Sequence, residues 1–80
     1  MDVSSKIRDF IRGSFLVDDF ADDASFLANG LIDSLGMMQL VAFVESEFGL
    51  SVKDTDLVPE NFDSVARVAA FVARARSRAA

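Results

Sequence analysis

The run Asn29-Gly30-Leu31-Ile32-Asp33-Ser34-Leu35-Gly36-Met37-Met38-Gln39-Leu40 places a hydroxyl where it can do chemistry. Gly30 lets the chain turn, and Asp33 is a good helix N-cap. From Leu35 onward the apolar residues take helical spacing, with Met37, Leu40, Val41, Val44 and Phe48 on one face. Ser34 therefore falls in the first helical turn, at the positive end of the helix dipole. A phosphate attached to its oxygen would lie beside free backbone N–H groups. Hydrolysis is a different matter, because a serine nucleophile needs a base. The chain has no His and no Cys, so neither a Ser-His-Asp triad nor a Cys-His pair can be assembled. The sequence predicts no catalytic residue and a chain that catalyses nothing alone. As a bare tripeptide, Asp33-Ser34-Leu35 is also what a plain helix cap looks like.

The elements that must position Ser34 are helices. Asp2 can cap a first helix from about Val3 to Ser14, with Val3, Ile7, Phe10, Ile11 and Ser14 or Phe15 inward. Residues 15 to 33 form a long connection, and such loops are uncommon in small domains without a function or internal packing. Phe15, Leu16, Phe20, Phe26 and Leu27 are expected to pin it. Its Asp18-Asp19-Phe20-Ala21-Asp22-Asp23 stretch fails as a calcium loop, with Asp23 where Gly is needed and Asn29 where Glu is needed. The second helix is expected from Ser34 or Leu35 to Phe48, ended by Gly49. It carries a second stripe, Leu35, Met38 and Ala42, which is either buried core or an exposed apolar contact. Leu50-Ser51-Val52 reads as extended, and residues 53 to 62 as one or two helical turns with Pro59 near a helix start. Ser64 caps a last helix through about Arg76, with Val65, Val68, Ala69, Phe71 and Val72 inward, after which the chain is expected to fray.

Composition agrees with an all-α fold. Eighty residues are read as a single domain, residues 1 to 80, whose core must come from helix packing, since disulfides and the usual zinc sites are excluded. An apolar fraction of 51% with eight Phe can supply that core. The net charge of −5 is unevenly placed: residues 18 to 63 hold eleven acids against Lys53 alone, whereas Arg67, Arg74, Arg76 and Arg78 follow without an acid. An acidic body argues against nucleic acid and favours basic protein surfaces, and the arginines suit a solvated helix end. No stretch is long and apolar enough to span a membrane, and the N-terminus lacks the regions of a signal peptide, so the expectation is a cytoplasmic monomer that binds no membrane and no metal.

Asp33-Ser34-Leu35 near the middle of a chain this long, the long first loop before it, and Glu45-Ser46-Glu47-Phe48-Gly49 closing the helix resemble the acyl carrier and peptidyl carrier protein family. The resemblance covers about residues 3 to 75. It implies a small four-helix bundle of three longer helices and one short one. It also implies a covalent 4′-phosphopantetheine, transferred from coenzyme A to Ser34 by a phosphopantetheinyl transferase, whose thiol holds an acyl or aminoacyl group as a thioester for downstream acyl-transfer enzymes. Asp33 would position the serine and be recognised by the transferase, and Leu35, Met38, Gln39 and Ala42 would meet partners. Asp33, Glu45 and Glu47 would steer them electrostatically.

Fatty-acid carriers usually show Leu-Gly-x-Asp-Ser-Leu followed by acids in the next turn. Here Gly30 stands one residue further back, and the next turn is Gly36-Met37-Met38-Gln39. Gly-Leu-Ile-Asp-Ser-Leu-Gly with Gln39 is more similar to D-alanyl and other discrete carriers loaded by an adenylate-forming ligase, in lipid or secondary-metabolite biosynthesis. The competing expectation is a non-covalent helical adaptor in which Ser34 is only part of a helix cap.

Overall fold

The computed structural model describes residues 2–15 and 20–79, with only the backbone of residues 78 and 79. Helices α1 (Val3–Phe15), α2 (Ser34–Phe48), α3 (Pro59–Phe62) and α4 (Val65–Ala79) follow in order, with a 3₁₀ turn at Asp54–Asp56 ahead of α3. No strand occurs among the described residues, so the expected all-α bundle of three longer helices and one short one is the architecture found.

Local signals explain each helix start. Asp2 accepts the Ser5 N–H at 2.7 Å, and that hydrogen bond holds its carboxyl below the ordinary carboxylate value. Ser64 Oγ accepts the Arg67 N–H at 3.1 Å and begins α4 in the same way. Pro59 occupies the first turn of α3, where its missing N–H costs nothing. Gly49, at φ 64°, ends α2 in the left-handed conformation that glycine adopts most readily. The extended residues after it are latched by Glu45, whose Oε2 accepts the Val52 N–H at 2.9 Å.

The core lies where α1, α2 and α4 meet. Ile7 and Ile11 of α1, Leu40 and Val44 of α2, and Val65, Val68 and Val72 of α4 are fully enclosed, and Phe71 nearly so. Val3, Phe10, Phe15, Met37, Phe48 and Ala69 pack around them partly buried, as their spacing predicts. Helix α4 differs from expectation at its end, continuing to Ala79 instead of fraying after Arg76. Ala75 is buried against the core, the Arg76 guanidinium lies 5.9 Å from the Phe48 ring centroid, and Ala and Arg are good helix formers.

The long connection is pinned chiefly by Phe26, which is fully buried and meets the Phe20 ring edge-to-face at 6.3 Å. Arg8 of α1 holds the loop from outside. Its guanidinium lies over the Phe20 ring, donates to the Phe20 carbonyl at 2.6 Å and pairs with Asp22. Leu27 departs from its expected role as an anchor. Its N–H is bonded to Asp63, but its side chain is 52% exposed. Leu16, Asp18 and Asp19 lie outside the described residues.

Replacing Phe26 with Ala should lower the unfolding free energy by about 3–5 kcal/mol, the usual cost of emptying a buried Phe site. Urea unfolding followed by circular dichroism measures it. A loss below about 1 kcal/mol, near the level of an ordinary surface change, would show that the loop is held elsewhere.

Candidate functional site

Ser34 is the first residue of α2 and is exposed. Asp33 precedes it in extended conformation, φ −92° and ψ −175°, and its Oδ1 accepts the Gly36 N–H at 2.7 Å. The Asp33 carbonyl accepts the Met37 N–H at 2.8 Å and closes the first turn. Helix geometry leaves the first-turn N–H groups of Ser34 and Leu35 without an intrahelical acceptor. The serine hydroxyl thus stands beside two free donors and the positive end of the dipole, which suits a phosphate ester on Ser34.

Gly36 is buried and has a packing role that the sequence pattern does not assign to it. A Cβ there would come 2.7 Å from Phe15 Cε1, 3.0 Å from Ile32 Cγ2 and 3.2 Å from Asp33 Oδ1. The missing side chain lets the end of α1 close under the first turn of α2, with Ile32, only 2% exposed, beside it. The signal available in the sequence is a glycine inside a helical pattern, which costs stability unless close packing requires it.

The second stripe of α2 faces outward. Leu35 is 72% exposed and Met38 56% exposed, and Gln39 and Ala42 are exposed as well. From Ser34 to Phe43 the helix carries no charged side chain. The acids at its far end are engaged within the fold, since Glu45 holds the Val52 N–H and Glu47 lies 3.5 Å from Lys6. Of the three acids expected to steer partners, Asp33 adjoins Ser34, and Glu45 and Glu47 lie at the other end of the helix.

An apolar groove reaches the start of α2 at Met37, one turn after the serine. Leu27, Met37, Leu57, Val58, Pro59 and Phe62 line it, and its volume is about 140 Å³. The helical period alone places Met37 in the core and gives residues 57 to 62 no part in the site. What brings them together is the tertiary approach of the loop and the start of α2 to the segment around α3, which the local pattern does not encode. No group of three or more His, Cys, Asp or Glu side chains that could hold a metal occurs among the described residues.

The family model for the phosphopantetheine attachment site matches residues 5–72. No curated protein matches the chain. Among solved structures, a chain from the "Crystal structure of FAD-dependent dehydrogenase" is similar at a TM-score of 0.74 and 30% identity, covering 82% of this chain and 97% of that one.

Two substitutions test the local geometry. Asp33→Ala should cost about 1 kcal/mol through loss of the cap. Gly36→Ala should also destabilise, because overpacking costs about 1–3 kcal/mol while helix propensity returns about 1 kcal/mol. Urea unfolding of both variants supplies the comparison, and a more stable Gly36→Ala would contradict the close approach of Phe15.

Proposed function

This chain belongs to the phosphopantetheine-attachment family, whose members carry 4′-phosphopantetheine covalently, and from that membership we propose that Ser34 is the residue that takes it. The observation that carries the assignment is Ser34 itself, an exposed residue at the first position of α2, where helix geometry provides N–H groups with no intrahelical acceptor. Attachment forms a bond from Ser34 Oγ to the phosphorus nearer pantetheine in coenzyme A. The phosphoanhydride bond breaks, adenosine 3′,5′-bisphosphate leaves with the bridging oxygen, and the serine proton passes to a base of the phosphopantetheinyl transferase. When bound, the group supplies a thiol that holds an acyl or aminoacyl unit as a thioester, a nucleophile that this cysteine-free chain does not have.

The chain's own residues present and orient. Asp33 fixes the first turn through the Gly36 N–H, and the backbone donors of Ser34 and Leu35 would hold the phosphate. Leu35, Met38, Gln39 and Ala42 give partners an uncharged face to dock on. With no His and no Cys, the chain itself performs no catalysis in this reading, and the chemistry belongs to its partners. The likeness of Gly-Leu-Ile-Asp-Ser-Leu-Gly with Gln39 to discrete carriers supports loading by an adenylate-forming acyl or aminoacyl ligase, followed by acyl-transfer enzymes, and the proposal sets that work in lipid or secondary-metabolite synthesis in the cytoplasm. The groove beside Met37 is small and open at the surface and the core is filled by bulky side chains, which supports a long acyl chain staying largely outside the core.

Intact mass before and after incubation with coenzyme A and a permissive transferase tests the assignment. A gain of one phosphopantetheine in the wild type, absent from Ser34→Ala, is the expected result. A folded wild-type chain that gains nothing would leave Ser34 as part of a helix cap and favour the non-covalent adaptor.

A further inference from the structure

The loop before Ser34 is hydrogen-bonded to the junction between α3 and α4, far along the chain. Asp63 ends α3, and its side chain is half-buried. Its Oδ2 accepts the Ser25 hydroxyl at 2.5 Å, and its Oδ1 accepts the Leu27 N–H at 3.0 Å. Its backbone carbonyl accepts the Phe26 N–H at 2.8 Å. Three consecutive loop residues are thus held by one residue. Ser25 extends the grip, since its Oγ also accepts the Ala28 N–H at 3.0 Å.

The grip passes on toward the serine through backbone groups. The Phe26 carbonyl accepts the Leu31 N–H at 2.9 Å and the Ile32 N–H at 3.5 Å. Ile32 is buried against the Gly36 position, and Asp33, the next residue, caps that same Gly36. Ser34 follows directly. The series ends at the Asp33 cap. The Asp63 carboxylate contributes by fixing Ser25 and Leu27 on either side of Phe26. Asp63→Ala removes that contribution, while the Asp63 carbonyl keeps its bond to the Phe26 N–H.

We infer that Asp63 is a positioning residue for phosphopantetheine attachment: it holds the Ser25–Leu27 segment, and through Phe26 and Ile32 it sets where the Ser34 hydroxyl stands. The inference rests on the reading of Ser34 as the attachment residue. A carboxylate suits the post, because two oxygens of one rigid group take two donors from the loop while the carbonyl takes the third. The apolar docking residues Leu35 and Met38 lie beyond the cap on α2. Loss of Asp63 therefore disturbs alignment of the hydroxyl more than capture by the transferase.

The test compares Asp63→Ala, Asp63→Asn and Val68→Ala, the last a cavity in the shared core at a side chain that makes none of these hydrogen bonds, at a temperature where all remain folded by circular dichroism. Asp63→Ala should lower kcat for transfer of the group by about tenfold with KM within about twofold, since misplacing a reacting atom by around an ångström costs up to a hundredfold. Asn keeps an acceptor for Leu27 and a polar atom for Ser25, so Asp63→Asn should stay within about threefold of wild type, and Val68→Ala should match wild type. Amide hydrogen exchange should quicken at Leu31, Ile32 and Gly36 in Asp63→Ala alone. The inference is overturned if Asp63→Ala behaves as Val68→Ala, if its effect lies in KM only, if Asp63→Asn falls as far as Asp63→Ala, or if exchange at Gly36 is unchanged. A wild-type chain that takes no group overturns the attachment reading and this one together. A wild type that takes it, with Asp63→Ala unimpaired, overturns this one alone.

Discussion

Burial of Phe26 is the interaction on which the site depends. The described residues of the connection from α1 to α2 form no helix or strand, so their backbone polar groups need partners wherever they are covered. Phe26 draws the segment into the core, and once there its N–H and carbonyl are both satisfied, by Asp63 and by Leu31 and Ile32. A loop that would otherwise be costly to order thereby gains one fixed path, and that path ends at the cap of α2. The placement of Ser34 is a consequence of this anchoring as much as of its own helix.

A second constraint is closeness at the start of α2. Phe15 at the end of α1 lies against the backbone at Gly36, a distance that any side chain there would disturb. The helix start is thus packed from below while its outer side stays open. The two sides have different tasks: Leu40, Val41 and Val44 hold the helix in the core, and Leu35, Met38, Gln39 and Ala42 remain available to a partner. Aromatic contacts reinforce the seam between α1 and α2, with Phe10 and Phe43 stacked at 4.2 Å and Phe15 and Phe48 edge-on at either end.

The charge pattern follows the same division. Acids are dense across the middle of the chain, yet the exposed part of α2 next to Ser34 is uncharged. Several acids have structural work within the fold: Asp22 pairs with Arg8, Glu45 latches the segment after α2, Asp63 holds the loop, and Glu47 faces Lys6. The exposed face beside Ser34 is thus uncharged, while the chain's acids lie outside it in sequence. That differs from the acid-rich helix of fatty-acid carriers.

The helices, their caps and the identity of the attachment family were legible in the sequence, because each rests on local chemistry. Asp2, Asp33, Ser64, Pro59 and Gly49 act on neighbours within a few residues, and the helical period marks the inward faces of α1, α2 and α4 without knowledge of their partners. Only the tertiary structure decided that the Leu35 and Met38 stripe is exposed, because two apolar stripes on one helix look alike until the neighbouring helices are placed. It also decided that Leu27 points outward, that α4 runs on to Ala79, that Gly36 makes room for Phe15, and that Asp63 holds the loop before Ser34. Each of these depends on groups distant in sequence, whose approach is set by packing of the whole core and is not encoded in any local pattern.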